Sequence, residues 1–190
     1  MAAAKLTGVS LMRDALSMVD AGAMAALTFN DVGIASTHAG VTVTTAKGIF
    51  NRLAAAKPDV IVAELGDGIL GEYGVQDILR DAELMRVGAA YVMAAPDPVA
   101  CWGATELMRN QFGLPITVIT GPATDNEVGQ VYIQTGLGLP AHNARRDAAG
   151  LLGVVVKALN DWSEGQESRV TSTNSSVPTP DSRLETVQSQ

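Results

Sequence analysis

Between Asp59 and Gly68 an apolar, β-branched run, Val60-Ile61-Val62-Ala63, delivers the carboxylate of Glu64 into a turn with glycine at positions 66 and 68. Such a run predicts a strand that ends in a loop. In open α/β sheets, ligands sit just beyond the carboxyl ends of parallel strands. Glu64 is therefore expected to project into a site rather than into a core. Gly66 and Gly68 permit positive φ and a close approach of backbone to ligand, and Asp67 and Glu72 add two carboxylates to the same rim. Hard divalent cations take oxygen ligands, so the rim has the chemistry for such a cation together with phosphate. An ordinary strand-to-helix turn with solvated acids has the same pattern, and both readings stand at this point.

The pattern around this segment repeats along the chain. Met1 to Gly8 has the form of the end of a short strand entering a loop, with little before it for a first strand and turn. Apolar positions at helical spacing (Leu11, Ala15, Met18, Val19, Ala23, Met24) predict a helix over 9–26. Residues 30–40 are small and polar, as in a loop. A helix over 44–56 closes at Lys57-Pro58, because the residue before proline is pushed out of the αR region, and a strand over 60–63 follows. Further helices are expected over 75–86, 99–111, 126–136 and 147–162, with apolar strand runs at 89–95 and 116–120 and a short one within 139–143. This alternation implies βαβ units and a mostly parallel sheet, in one α/β domain over residues 1–162. From 163 to 190 the composition shifts to Ser, Thr, Gln, Pro and isolated charges, which predicts a disordered tail.

Composition narrows the classes. With 190 residues the length suits one domain, and 47% apolar residues of which few are aromatic fit layered α/β packing. A formal charge of −7 without a basic stripe argues against nucleic acid as a partner. Cys101 is the only cysteine, so no internal disulfide forms, and its Ala-Cys-Trp-Gly-Ala setting reads as a small buried hydrophobe. No apolar run reaches the roughly 18 residues of a membrane span, and the N-terminus lacks the basic-then-apolar order of a signal peptide. No membrane partner is expected, and the cytoplasm is the default location.

The order of these elements resembles the dethiobiotin synthetase-like branch of the P-loop NTPases, over about residues 3–158. In that family the second strand ends in Lys-Pro-x-x-Thr/Ser-Gly, whose lysine approaches the nucleotide phosphates and substrate. Lys5-Leu6-Thr7-Gly8 is a shortened counterpart. A later family strand carries Val-Glu-Gly-x-Gly-Gly, whose acid contributes to the Mg²⁺ site; Val62-Ala63-Glu64-Leu65-Gly66-Asp67-Gly68 is similar, with one residue inserted before the first glycine. The family strand that ends near the nucleotide base with an asparagine is echoed by Ile116 to Thr120 and Asn126, and a Pro-containing loop by the base is similar to Leu139 to Asn143.

The resemblance implies a three-layer αβα fold and a site for ATP and Mg²⁺. Lys5 and Glu64 would be catalytic, Thr7, Gly8, Gly66, Gly68, Asn126 and Asn143 would contact the nucleotide, and Glu64 and Asp67 would face the metal. One departure is plain: no Gly-x-x-x-x-Gly-Lys-Ser/Thr occurs. That loop wraps backbone N–H groups around phosphates. The chain is expected to lack the first strand and P-loop, either as the C-terminal portion of a longer protein or through loss of the cradle.

Other residues carry weaker signals. His38 in Ser36-Thr37-His38 and His142 have the titration range of acid/base groups, but loop histidines are usually only solvated, and two histidines are too few for a zinc site. Asp14 and Asp20 fall on the first helix, with Asp14 the one placed to face a phosphate. Thr124 to Glu127 reads as a helix cap, and Arg145-Arg146 as a solvated pair. No Gly-x-Ser-x-Gly elbow supports a hydrolase. The leading expectation is a P-loop-NTPase-like domain related to ATP-dependent carboxylases and ligases, acting on a small carboxylate-type substrate and incomplete by itself. The alternative is a non-catalytic small-ligand-binding or assembly domain, with an exposed sheet edge favouring a homodimer. A Rossmann-like domain ranks third, since no Gly-x-Gly-x-x-Gly follows a first strand.

Overall fold

The computed structural model describes residues 1–174, which fold as two compact units, Met1–Gly88 and the chain from Ala89 onward. Both are mixed α/β, each built on a small parallel sheet.

In the first unit, β1 (Ala2–Thr7) lies between β2 (Ala26–Thr28) and β3 (Ile61–Leu65). All six β1 residues are buried, as expected of the central strand of a parallel sheet covered on both faces. Side chains alternate along a strand. Ala2, Ala4 and Leu6 accordingly join the core, together with Phe29, Ile78, Leu84 and the Ala46, Ile49, Leu53 face of α2 (Thr42–Ala54). Lys5 and Thr7 fall on the opposite side, toward α1 (Met12–Asp20), a helix with no fully buried residue. The register sets Lys5 beside Thr28 on one side and Glu64 on the other, and shifts between Lys5 and Thr7.

Several boundaries differ from the sequence expectation for physical reasons. The helix expected over 9–26 is shorter: Gly22, at φ +99°, donates its N–H to the Val19 carbonyl and closes α1. The chain then supplies β2, which three residues make too short to show periodicity. The expected 30–40 loop opens with a 3-10 turn, Phe29–Val32, capped by Thr28. Glu64 sits inside β3 rather than in the turn beyond it. The helix expected over 75–86 is two, α3 (Val75–Arg80) and α4 (Ala82–Arg86), because extended Asp81 breaks the run and accepts the Leu84 N–H at 2.9 Å. Asp81 also pairs with Lys47 at 3.0 Å.

In the second unit β4 (Val92–Ala94) pairs with β5 (Val118–Thr120). Ala141 makes a single parallel bridge to Ile119, which is all that forms of the short strand expected within 139–143. Helix α5 (Pro98–Leu107) begins with proline at its first position and Asp97 accepting the Ala100 N–H at 2.8 Å. It widens into a π turn, Met108–Phe112, closed by left-handed Gly113. Helix α6 (Glu127–Val131) likewise passes into a π turn, Tyr132–Gly136. Helix α7 runs Ala148–Asn174. The tail expected from 163 onward therefore starts as helix up to Asn174, and its remainder lies outside the described residues. No helix among the described residues is long and apolar enough to cross a membrane.

Candidate functional site

The carboxyl ends of β1 and β3 bring three sequence-selected side chains together: Lys5, Asp14 and Glu64. The Lys5 Nζ donates to Asp14 Oδ2 at 3.0 Å and lies 3.4 Å from Glu64 Oε1. Its side chain is 10% exposed, whereas that of Glu64 is 48% exposed and available to a ligand. Burial pulls the Lys5 ammonium down, but hydrogen bonds and Coulomb attraction from Asp14 and Glu64 outweigh it and hold its pKa above 10.5. The pairing with Glu64 follows from register, since the two residues are direct neighbours across β1 and β3.

Three loops close around this pair. Thr7 donates its hydroxyl to the Gly66 carbonyl at 3.0 Å, and Thr37 accepts the Gly8 N–H at 2.7 Å while donating to the Tyr73 carbonyl at 2.9 Å. Asp67, itself left-handed at φ +65°, accepts the Val9 N–H at 2.7 Å. A Cβ on Gly66 would lie 2.8 Å from the Thr7 carbonyl oxygen and 3.2 Å from Lys5 Cε. That glycine therefore lets β3 close onto Lys5; the close approach is within the chain itself. Gly68, at φ +82°, has open space where a Cβ would stand. Its backbone remains accessible.

Thr37 was missed in the sequence, where Ser36-Thr37-His38 drew attention to its histidine. It is buried and joins two loops, whereas His38 is exposed and its ring Nδ1 lies 2.8 Å from the neighbouring Ala39 carbonyl oxygen. Ser10 was missed as well; among the described residues its Oγ is the buried side-chain oxygen or nitrogen that has no hydrogen-bond partner.

The electrostatics bear on what can bind. One ammonium stands among Asp14, Glu64 and Asp67, so the site carries an excess of negative charge. A bare anion would meet those carboxylates; an anion accompanied by a divalent cation would not. Mg²⁺ usually keeps several waters and takes one or two carboxylates plus phosphate oxygens. Half-exposed Glu64 and the second oxygen of Asp67 fit that requirement. No group of three His, Cys, Asp or Glu forms a protein cage for a metal among the described residues.

Asp14 gives the site a pH signature. The backbone N–H of Leu11 and then the Lys5 ammonium hold its carboxyl below the ordinary 3.8. A carboxyl depressed in the fold stabilises it above the unfolded-state pKa and loses that contribution as pH falls through the folded value. Lys5, whose pKa is raised, contributes fully throughout the acid range. Urea midpoints between about pH 5 and about pH 2 are therefore expected to fall less for Asp14→Asn than for the wild type. Equal slopes would mean that Asp14 has no such coupling.

Asn126 and Asn143 are in the second unit, and the fold uses their amides. Asn126 caps α6 by accepting the Gly129 N–H at 2.9 Å. Buried Asn143 donates to Thr124 Oγ1 at 3.1 Å and Asp125 Oδ1 at 2.8 Å, and accepts from the backbones of Arg145 and Arg146. His142 Nδ1 lies 2.6 Å from Asp147 Oδ2, and Asp147 also accepts the Gly150 N–H. Burial, followed by the Asp97 charge, pushes the Cys101 thiol up, which keeps it protonated and unsuited to nucleophilic work. Asp20, Glu72 and Arg145 are exposed. No family model matches the chain, nor does any curated protein or solved structure.

Proposed function

We propose that this chain is a P-loop-NTPase-like domain of the dethiobiotin synthetase-like kind, related to ATP-dependent carboxylases and ligases. In this reading ATP and Mg²⁺ bind at the Lys5–Glu64 end of β1 and β3, within a three-layer αβα arrangement. A small carboxylate-type substrate is activated there. The observation that carries the reading is the pairing of a nearly buried ammonium with a half-exposed carboxylate at the carboxyl ends of adjacent parallel strands. Glu64 and Asp67 would hold Mg²⁺, which supplies neutralisation of phosphate charge when bound. Lys5 then offsets charge that develops on the transferring phosphoryl oxygens, and Asp14 keeps the ammonium protonated and aimed. Residues 1–190 contain no Gly-x-x-x-x-Gly-Lys-Ser/Thr, so in this reading the Lys5–Glu64 end receives the phosphates without that cradle.

Calorimetric titration with ATP and ADP, with and without Mg²⁺, is expected to show micromolar binding that requires Mg²⁺. Absence of heat with both nucleotides would overturn the reading. Glu64→Gln is expected to weaken Mg-dependent binding by about tenfold or more while leaving the thermal midpoint within about 2 °C of wild type. Unchanged binding would remove Glu64 from the metal role.

A second reading, a non-catalytic assembly domain that forms a homodimer, is favoured by α1. Met12, Leu16 and Val19 follow one another at helical spacing and are 82%, 54% and 48% exposed. A monomer in sedimentation at micromolar concentration would count against it.

A further inference from the structure

We propose that the second unit carries a binding site for a small amphipathic monocarboxylate, in a cavity between the end of α5 and the segment that enters β5, with Arg109 receiving the carboxylate. Every residue of that cavity belongs to the second unit and precedes the amino end of β5 or the Ala141 bridge. The site therefore stands apart from the nucleotide reading, which concerns the carboxyl ends of β1 and β3.

Local sequence opens the cavity. An α-helix closes each turn on hydrogen bonds four residues apart, and α5 leaves that pattern at Met108–Phe112, where the π turn widens it. Left-handed Gly113, at φ +66°, then reverses the chain. Its N–H meets the Arg109 carbonyl at 3.2 Å, and that of Leu114 meets the Met108 carbonyl at 3.0 Å. Pro115 has no N–H to give, so the returning segment does not resume a helix. This segment, α5 and Leu139 line a cavity of about 330 Å³. Sites for small ligands begin at roughly 300 Å³.

The lining changes character with depth. Thr105 and Ile116 are buried, Leu114 and Leu139 are half-buried, and Arg109, Gly113 and Pro115 are exposed. The Thr105 hydroxyl already donates to the Cys101 carbonyl at 2.8 Å, so the deep part offers mainly apolar contact. Arg109 is the charge at the rim. A guanidinium has five N–H donors and no acceptor. Among the described residues, the carboxylate within 4 Å of it is that of Glu106, at 3.9 Å, too long for a hydrogen bond. The other Glu106 oxygen accepts from Asn110 at 2.9 Å. The Arg109 side chain is 65% exposed, so its planar fork is open to bidentate pairing with a ligand carboxylate. An exposed arginine alone is merely solvated; beside an apolar cavity it selects a molecule with an apolar body and an anionic end. One guanidinium with no second cation in the lining balances a monoanion, which favours a carboxylate over a phosphate monoester.

Octanoate titrated into the ¹⁵N-labelled full chain, with octanamide as its neutral counterpart, tests both parts of the site. Octanoate is expected to shift the amide resonances of Arg109 to Leu114, Ile116 and Leu139 with a Kd below about 1 mM, and octanamide to bind there about tenfold more weakly. Arg109→Gln should lower octanoate affinity about tenfold and leave octanamide affinity unchanged, so that the two probes become equal. Leu139→Trp, which fills the cavity, should weaken both probes about tenfold or more, with resonances outside this segment reporting an intact fold. Equal binding of the two probes by the wild type, or wild-type octanoate affinity in Arg109→Gln, would overturn the role of Arg109 and the carboxylate class with it. No shifts at these residues up to about 10 mM octanoate, or undiminished binding in Leu139→Trp, would overturn the site itself.

Discussion

Gly8→Ala is expected to destabilise the first unit by about 3 kcal/mol, a large effect for adding one methyl group. Two causes act together. Gly8 has φ +97°, where an alanine is strained, and a Cβ there would stand 2.1 Å from Asp67 Oδ2. That oxygen accepts the Val9 N–H at 2.7 Å, so moving it away also breaks a charge-assisted hydrogen bond. Gly22→Ala separates the two contributions, because Gly22 has φ +99° with nothing within 4 Å of the added carbon. It should cost only the backbone part, about 1 kcal/mol. Asp67→Ala in the Gly8→Ala background should then cost far less than in the wild type, since the first substitution has already displaced the carboxylate. Urea denaturation of the four variants measures the cycle. A Gly8→Ala midpoint equal to that of Gly22→Ala would show that the Asp67 latch contributes nothing.

The same region shows what could be read from the chain and what could not. The run Val60 to Ala63 marked a strand before Glu64 because β-branched continuity is a local property, but its burial was not legible: β3 lies at the sheet edge and Val62 is 54% exposed. Lys5 and Glu64 were each singled out separately. Their pairing depends on register between strands separated by the whole of α1, β2 and α2, and sequence does not display register. The roles of Gly8 and Gly66 are similar: each is open to a glycine because of an atom brought in by another segment, Asp67 Oδ2 in one case and the Thr7 carbonyl in the other.

Helix ends show the limits of local patterns more plainly. Asp81 sits three residues before Leu84, the spacing of a cap, yet its charged neighbours fit a continuous helix equally well. The choice falls to Lys47, which pairs with both Asp81 and Glu83 from α2. In α7 the shift to Ser, Gly and Gln after Trp162 lowers helix propensity, a weak preference, and the helix continues. Asn143 was selected as a polar residue near a strand end. Its polarity is matched by four partners from its own fold, which pattern alone does not distinguish from a ligand contact.

Lys5→Met is expected to have the largest effect on binding, with affinity for Mg·ATP reduced by about 100-fold or more. The argument turns on what remains. Asp14, Glu64 and Asp67 would surround the site without the ammonium that balances them, so phosphate oxygens would meet carboxylates alone. Stability should respond less than binding does. Methionine has the length and flexibility to fill the space of the lysine stem between Gly66 and α1, and the Asp14 and Glu64 side chains, 21% and 48% exposed, can regain water. Lys5→Ala lacks that compensation and should lose both stability and binding, because it leaves a cavity beside the central strand. Lys5→Arg is no safe replacement either: Gly66 already lies against the Lys5 stem, and the wider guanidinium changes the geometry offered to a phosphate. Calorimetry beside thermal denaturation reads the two effects separately. A folded Lys5→Met that binds Mg·ATP within about twofold of wild type would show that the ammonium does not recognise phosphate, and the proposed nucleotide site would fall with it.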